Sequence, residues 1–422
     1  MNNWVETTLS QVSEVKLCNV DKKTNKDEIE VRLCNYMDVY NNPFINADKV
    51  KTFMIATCSK SELDNFKIQE GQVAITKDSE KRDDIGISTY MAESFDDVVL
   101  GYHTALITPE KGSLSGKFLN YWFNTKFAKV YFENNAGGSG QRCTLPIDII
   151  KSIPLKLPPI DLQEKIARIF YNIDSKIELN NRINAELESM AKTIYDYWFV
   201  QFDFPHEFKT VKTDKNGRRT EFVEVKPYKS SGGTMVWNEE LKREIPEGWE
   251  VKELGSYATI KKGVLITEKT ADVNGKIKVV SAGIDYSYFH SEANYPENTI
   301  TISASGASAG YINFWREPIF ACDCTTVRGK NTADTLQILG FLKIRQEFIY
   351  KQARGSAQPH VYPKDIEGLS YPIPPTSLVE KYGELVVSGN QQIAINFKQN
   401  QLLVSLRDWL LPMLMNGQIT IK

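Results

Sequence analysis

At 422 residues, with 41% hydrophobic and 25% charged side chains, the chain is long enough for two or three globular domains, each with its own core. Lys and Arg number 51 against 53 Asp and Glu, a net charge of -2, which excludes a global electrostatic pull toward nucleic acid; any such face must be local. No apolar run reaches the ~20 residues that span a bilayer, and the N-terminus, with Glu6 and no apolar stretch, is no signal peptide, so a cytoplasmic protein with no membrane partner is expected.

The chain opens on a segment holding Trp4 and Leu9, and up to residue 158 it reads as a mixed domain rich in strands and loops. Short β-branched and aromatic runs such as Gly71-Gln72-Val73-Ala74-Ile75 are broken there by Gly, Asn, Asp and Pro, and a short helix is predicted around 117–131. Pro158-Pro159 then precedes a long periodic stretch over 161–198. Leu162, Ile166, Ile169, Ile173, Ile177, Ile183, Leu187, Met190, Ile194 and Trp198 follow spacings of mostly three and four, a heptad-like seam, and Asp161 with Glu164 gives an N-cap signal. Residues 199–248, containing Lys226-Pro227-Tyr228-Lys229-Ser230-Ser231-Gly232-Gly233, read as an irregular connector. A second strand-rich region covers 245–373, with the runs Lys276-Ile277-Lys278-Val279-Val280 and Tyr311-Ile312-Asn313-Phe314-Trp315 and a short helix around 337–351. After Pro374-Pro375, Ser377 with Glu380 repeats the cap signal. A second helix then continues through Leu378, Tyr382, Leu385, Ile393, Leu403, Leu406 and Leu410 until Pro412 and Gly417 should kink and end it. Each helix would be ~55 Å long at 1.5 Å per residue.

The chain is a duplicated unit. Leu162, Glu164, Lys165, Ile177, Asn180, Asn184 and Leu187 fall on Leu378, Glu380, Lys381, Ile393, Asn396, Asn400 and Leu403 at a constant offset of 216 (378 minus 162). Trp4 and Leu9 fall on Trp249 and Leu254 at an offset of 245 (249 minus 4), so the repeats agree at their flanks and differ between them. Neither helix can leave its one apolar stripe in water, which predicts that the two pack on each other, antiparallel. Their asparagines would then either meet near the centre and fix register or face solvent.

No catalytic pattern is complete. Gly306-Ala307-Ser308-Ala309-Gly310 resembles a nucleophile elbow, but an aromatic run and Pro318 follow where a helix must begin. Gly112-Ser113-Leu114-Ser115-Gly116-Lys117-Phe118 is one residue short of a P-loop and carries Phe where Ser or Thr must hold Mg²⁺. Asn42-Pro43-Phe44 lacks the first of the two prolines and the preceding glycine-rich loop of an adenine methyltransferase, and Glu224-Val225-Lys226 lacks a convincing Pro-Asp partner of a nuclease. The six cysteines show no C-x-x-C spacing, Cys322 and Cys324 have no second ligand pair nearby, and the four histidines are scattered, so no metal site is expected.

Two phrases recur in the same order in both halves. Gly138-Ser139-Gly140-Gln141 leads through Pro146 to Pro154-Leu155-Lys156-Leu157-Pro158-Pro159, and Gly355-Ser356-Ala357-Gln358 leads through Pro363 to Pro372-Ile373-Pro374-Pro375; Leu-x-Glu-Lys then opens each helix. With the opening Ile245-Pro246-Glu247-Gly248-Trp249, this layout resembles the specificity subunit of type I restriction-modification systems over nearly the whole chain. The resemblance implies an α+β fold of two strand-rich mixed α/β target-recognition domains, joined by two long antiparallel coiled-coil-like helices in a pseudo-two-fold arrangement. The domains would be 1–158 and 245–374, the spacer helices 159–200 and 375–422, and the connector 201–244. Each domain would read half of a bipartite target in double-stranded DNA, and the helices would set the spacer and dock two methyltransferase subunits. S-adenosylmethionine, ATP and Mg²⁺ would bind those subunits and the ATP-dependent motor-nuclease subunits, with no cofactor on this chain. The alternative is a restriction endonuclease or methyltransferase polypeptide with its own catalytic site, against which the missing motifs argue.

Base edges are read by Arg, Lys, Asn, Gln, Ser and Thr on loops held by a rigid scaffold, and phosphates by Lys and Arg. In the first domain this selects Lys77, Ser79, Lys81 and Arg82 after a predicted strand, with Gln141 and Arg142. In the second it selects Lys261, Lys262, Ser303, Ser305, Thr325, Arg328, Arg354, Gln358 and His360.

Overall fold

The computed structural model describes residues 4–138, 142–213, 215–272, 274–353, 359–419 and 421. The chain divides into two units, 1–179 with 399–422 and 180–398, and both divisions fall inside a long helix.

In the first unit Val5–Thr8 pairs antiparallel with Pro154–Leu157, so the opening segment is zipped to the strand directly before Pro158-Pro159. The main sheet orders Ser13–Leu17, Thr104–Pro109, Val73–Thr76, Ser88–Met91 and Phe44–Ile45, with the last strand added in parallel. A smaller sheet sets Ile29–Cys34 between antiparallel Met54–Cys58 and parallel Val98–Leu100. The run Val73–Thr76 is buried on both faces because its alternate side chains feed two cores: Val73 and Ile75 pack with Phe118 and Phe132, and Ala74 with Leu33 and Val99. The helix expected over 117–131 is two, Gly116–Phe123 and Lys126–Asn135. Thr125 accepts a hydrogen bond from the Ala128 amide and so starts a new helix where one continuous helix was expected.

The second unit repeats this plan. Glu250–Glu253 pairs with Ser370–Ile373, and the main sheet orders Thr259–Lys262, Cys324–Arg328, Thr299–Ser303 and Ile312–Trp315. Ile277–Val280 again lies between an antiparallel strand, Tyr286–His290, and a parallel one, Ile319–Ala321. The helix expected over 337–351 begins earlier and breaks, as Thr332–Ile344 and Gln346–Gln352, because Asn331 caps the first by accepting from the Asp334 amide. The connector is not irregular. Pro205–Thr213 and Arg219–Pro227 pair residue for residue in a hairpin, and Met235–Asn238 pairs with Arg243–Pro246. Its alternation is weak as a signal because Val211, Val223 and Val225 stay exposed, so no face of the hairpin needed to be uniformly apolar.

The long helices run over Ile160–Tyr195, extended by a π turn at Asp196–Val200, and over Thr376–Met415. Asp161 and Ser377 lie inside the first turns and do not cap them; the carbonyls of Pro159 and Pro375 accept the first helical bonds, from Leu162 and Leu378, because a proline's fixed φ already suits a helix start. Pro412 does not end its helix, which continues to Met415; Gly417, at φ 68°, follows in the left-handed conformation. In the second unit Asn184 meets Asn396 and Tyr195 meets Tyr382, so partner numbers fall as the first helix advances and the two helical segments there are antiparallel; in the first unit Asp174 meets Arg407. The Asn396 amide donates to Asn184 Oδ1 at 2.8 Å with both side chains buried, the register pin rather than the solvent-facing alternative. Ile183, Met190, Leu385 and Leu406 are exposed, not on the seam. In the middle of the first helix the buried positions are taken by Asn180 and Asn184, and the apolar side chains beside them turn outward.

All six cysteines are free and buried, and burial pushes the thiols of Cys18 and Cys324 up to about 12. Among the described residues no helix is long and apolar enough to cross a membrane, and no cluster of His, Cys, Asp and Glu could hold a metal.

Candidate nucleic-acid interface

At one end of the first unit's main sheet the chain leaves Val73–Thr76 through Lys77, Asp78 and Ser79. A loop returning from the helix Lys126–Asn135 is stitched to it, with Cys143 opposite Ser79, Thr144 opposite Asp78, and the Leu145 amide on the Lys77 carbonyl at 2.7 Å. Three donors converge on Asp78: Thr144 Oγ1 at 2.5 Å, His103 Nδ1 at 2.5 Å and Lys77 Nζ at 3.1 Å. Tyr102, half exposed, places its ring 3.7 Å from that of His103, and Arg82 donates to the Gly138 carbonyl at 3.2 Å. The structure thus gathers Lys77, Ser79, Arg82 and Arg142 at one polar corner, with Lys81 exposed beside them, while Gln141 lies outside the described residues.

Burial works to raise the Asp78 carboxyl, but the bonds from Thr144, His103 and Lys77 outweigh it and hold the group below the usual carboxylate range. A depressed folded value contributes stability that is complete above the unfolded value and lost as pH falls through the folded one. Melting of the wild-type protein should therefore weaken below about pH 4 by more than melting of an Asp78→Asn variant, whose profile should be flatter there. Parallel melting curves from pH 5 to pH 3 would contradict this.

The second unit builds the same corner from different residues. Ser305 lies opposite His360, the Val361 amide donates to the Ala304 carbonyl at 3.0 Å, and Ser305 Oγ donates to Asp323 Oδ2 at 2.8 Å. Lys261 and Lys262 are exposed on the edge strand, Lys262 facing Thr325 near this end. Ser303 and Thr325 are not loop residues as expected. They are strand positions 3% and 1% exposed, and Ser303 spends its hydroxyl on the Ala282 carbonyl, because the central strands are buried on both faces. Arg328 sits at the opposite end of its strand, bonded to Thr299, and does not join the corner. Arg354 and Gln358 lie outside the described residues. Sequence reasoning missed His103, Thr144 and Asp323; their positions just before a strand or just after the Gly-x-x-Gln loop were the available signal.

The model of the type I restriction modification DNA specificity domain matches residues 1–189 and again 246–400, most of the chain and in two copies. The chain belongs to that family. As a family member it is a specificity component, whose role is recognition of a DNA sequence and not catalysis. It is similar to the type I restriction enzyme MjaIX specificity subunit of Methanocaldococcus jannaschii, 27% identical across 75% of this chain and 72% of that one. It is also similar to the HindI specificity subunit of Haemophilus influenzae, 22% identical across 99% and 100% of the two chains. Among solved structures, the type I restriction-modification S subunit of M. genitalium shares the fold, with a TM-score of 0.62 at 18% identity, covering 98% of this chain and 96% of that one.

Proposed function

We propose that each domain of this specificity subunit reads one half of a bipartite target in double-stranded DNA through its polar corner. The observation that carries the reading is that one fold, used twice, ends in the same kind of corner built from unlike side chains, as expected of two domains with different half-sites. The long helices set the spacing of the half-sites and dock two methyltransferase subunits; the exposed apolar side chains Met190, Leu385, Leu402 and Trp409 supply surface for partner helices. S-adenosylmethionine, ATP and Mg²⁺ belong to the methyltransferase and motor-nuclease subunits, and the assembly works in the cytoplasm. The boundaries 1–158, 159–200, 201–244, 245–374 and 375–422 follow from this division of labour.

Assembled with type I methyltransferase subunits, the full chain should direct methylation to a two-part motif in random duplex DNA, and alone it should transfer no methyl group. Methyl transfer from labelled S-adenosylmethionine by the isolated chain would refute the reading.

A further inference from the structure

The two polar corners correspond position by position. Thr76 faces Thr104 across the first main sheet, and Ser303 faces Cys324 across the second. Asp78 and Ser305 each lie two residues past the first strand of their pair, and His103 and Asp323 each lie one residue before the second. The returning loop completes each set, with Thr144 opposite Asp78 and His360 opposite Ser305. At the same three stations one domain holds Asp, His and Thr, and the other holds Ser, Asp and His. A carboxylate, an imidazole and a hydroxyl are present in both, and their order is permuted.

These side chains are not needed to fasten the loop. The backbone does that identically in both units, from Leu145 to Lys77 and from Val361 to Ala304. His103, moreover, holds a left-handed backbone at φ 71°, uncommon for a residue with a side chain and costly to keep without a use. Asp78 engages Nδ1 of His103, and an ionised carboxylate there requires the ring proton on Nδ1. Among the described residues Nε2 has no hydrogen-bond partner, and in the neutral form of the ring that nitrogen is an acceptor. That suits the exocyclic amino group of adenine or cytosine in the major groove. In the second corner Ser305 holds one oxygen of Asp323, and a carboxylate is likewise an acceptor for a base amino group.

Resting on the reading of the corners as DNA-facing, we propose that these stations determine specificity: His103, positioned by Asp78, reads a base amino group in one half-site, and Asp323, positioned by Ser305, reads one in the other. The test selects bound duplexes from a randomised pool with the full chain assembled with methyltransferase subunits. His103→Ala should lower preference at one base position of one half-site by about tenfold and leave the rest of the motif intact; Asp323→Ala should do the same in the other half. Asp78→Asn should relax the same position as His103→Ala, which a merely structural bond would not do, and His103→Gln gives the same readout if the alanine variant does not fold. A uniform loss of affinity with an unchanged motif, or one variant altering both half-sites, overturns the proposal. A wild-type assembly that selects no two-part motif overturns the reading beneath it as well.

Discussion

Replacing residues 1–158 with the corresponding domain of another family member should change one half of the methylated motif completely and leave the other half and the spacer as they were. The exchange is feasible because Val5–Thr8 is paired with Pro154–Leu157 in a two-stranded sheet of their own, which brings the two ends of the domain side by side before the helix begins. The domain shares its core with the helices, however. Ile166, Ala167, Phe170, Leu414 and Met415 belong to the same buried cluster as Phe118 and Leu155, so the incoming domain must present a compatible apolar face. Each of the larger side chains among them contributes roughly 1.5–3 kcal/mol when fully buried, enough that a poorly matched domain would fail to fold rather than read the wrong sequence. Mapping of methylated sites decides the matter: alteration of both half-sites by a well-folded hybrid would show that reading is not divided between the domains.

The second large effect is expected at Asp174. This residue of the first long helix is 3% exposed and accepts from Tyr121 Oη at 2.8 Å and from Arg407 Nη1 at 2.9 Å, joining the domain and both helical segments of the first unit at one carboxylate. Asp174→Ala should cost about 2–3 kcal/mol, because it leaves the buried Tyr121 hydroxyl without its acceptor and the part-buried Arg407 guanidinium with only the exposed Asp408 as counter-charge. The melting temperature should drop by roughly 5–10 °C for a unit of this size. Asp174→Asn should cost less. The equivalent position at the offset of 216 is already an asparagine, Asn390, which accepts from Arg316 Nε at 2.8 Å in the second unit. A calorimetric melt of both variants checks the order; an alanine variant as stable as the asparagine one would mean that the hydrogen bonds an amide can keep at this position contribute nothing.

What was legible in the sequence follows from how strongly each segment's environment constrains its pattern. The long helices bury a stripe, so their periodicity and their proline starts were visible, and the repeat placed the domains around them. Their exposed Ile183 and Met190 were misassigned because apolar side chains on an outer face carry the same letters as those on a seam. The hairpin of Pro205–Thr213 with Arg219–Pro227 was invisible for the converse reason: its stability rests on backbone pairing, and water reaches both faces. At the corners, loop chemistry pointed to Lys77, Ser79, Arg82 and Arg142, which the fold gathers, and also to Ser303 and Thr325, which it buries. A polar letter between β-branched neighbours does not reveal whether its strand is central or at an edge. His103 and Asp323 offered only their positions just before a strand, since the partners that give them a role lie 25 and 18 residues away in the chain.

The bonded pair Asn184 and Asn396 limits how such a chain can change in length. Each inserted residue turns the rest of a helix by about 100°, so one or two extra residues between the pin and the apolar positions that grip a domain would swing those positions into water. An insertion close to a whole turn restores their phase. Lineages descended from this chain should therefore differ in helix length by steps of about four or seven residues and seldom by one or two, so that the reach of the protein evolves in jumps.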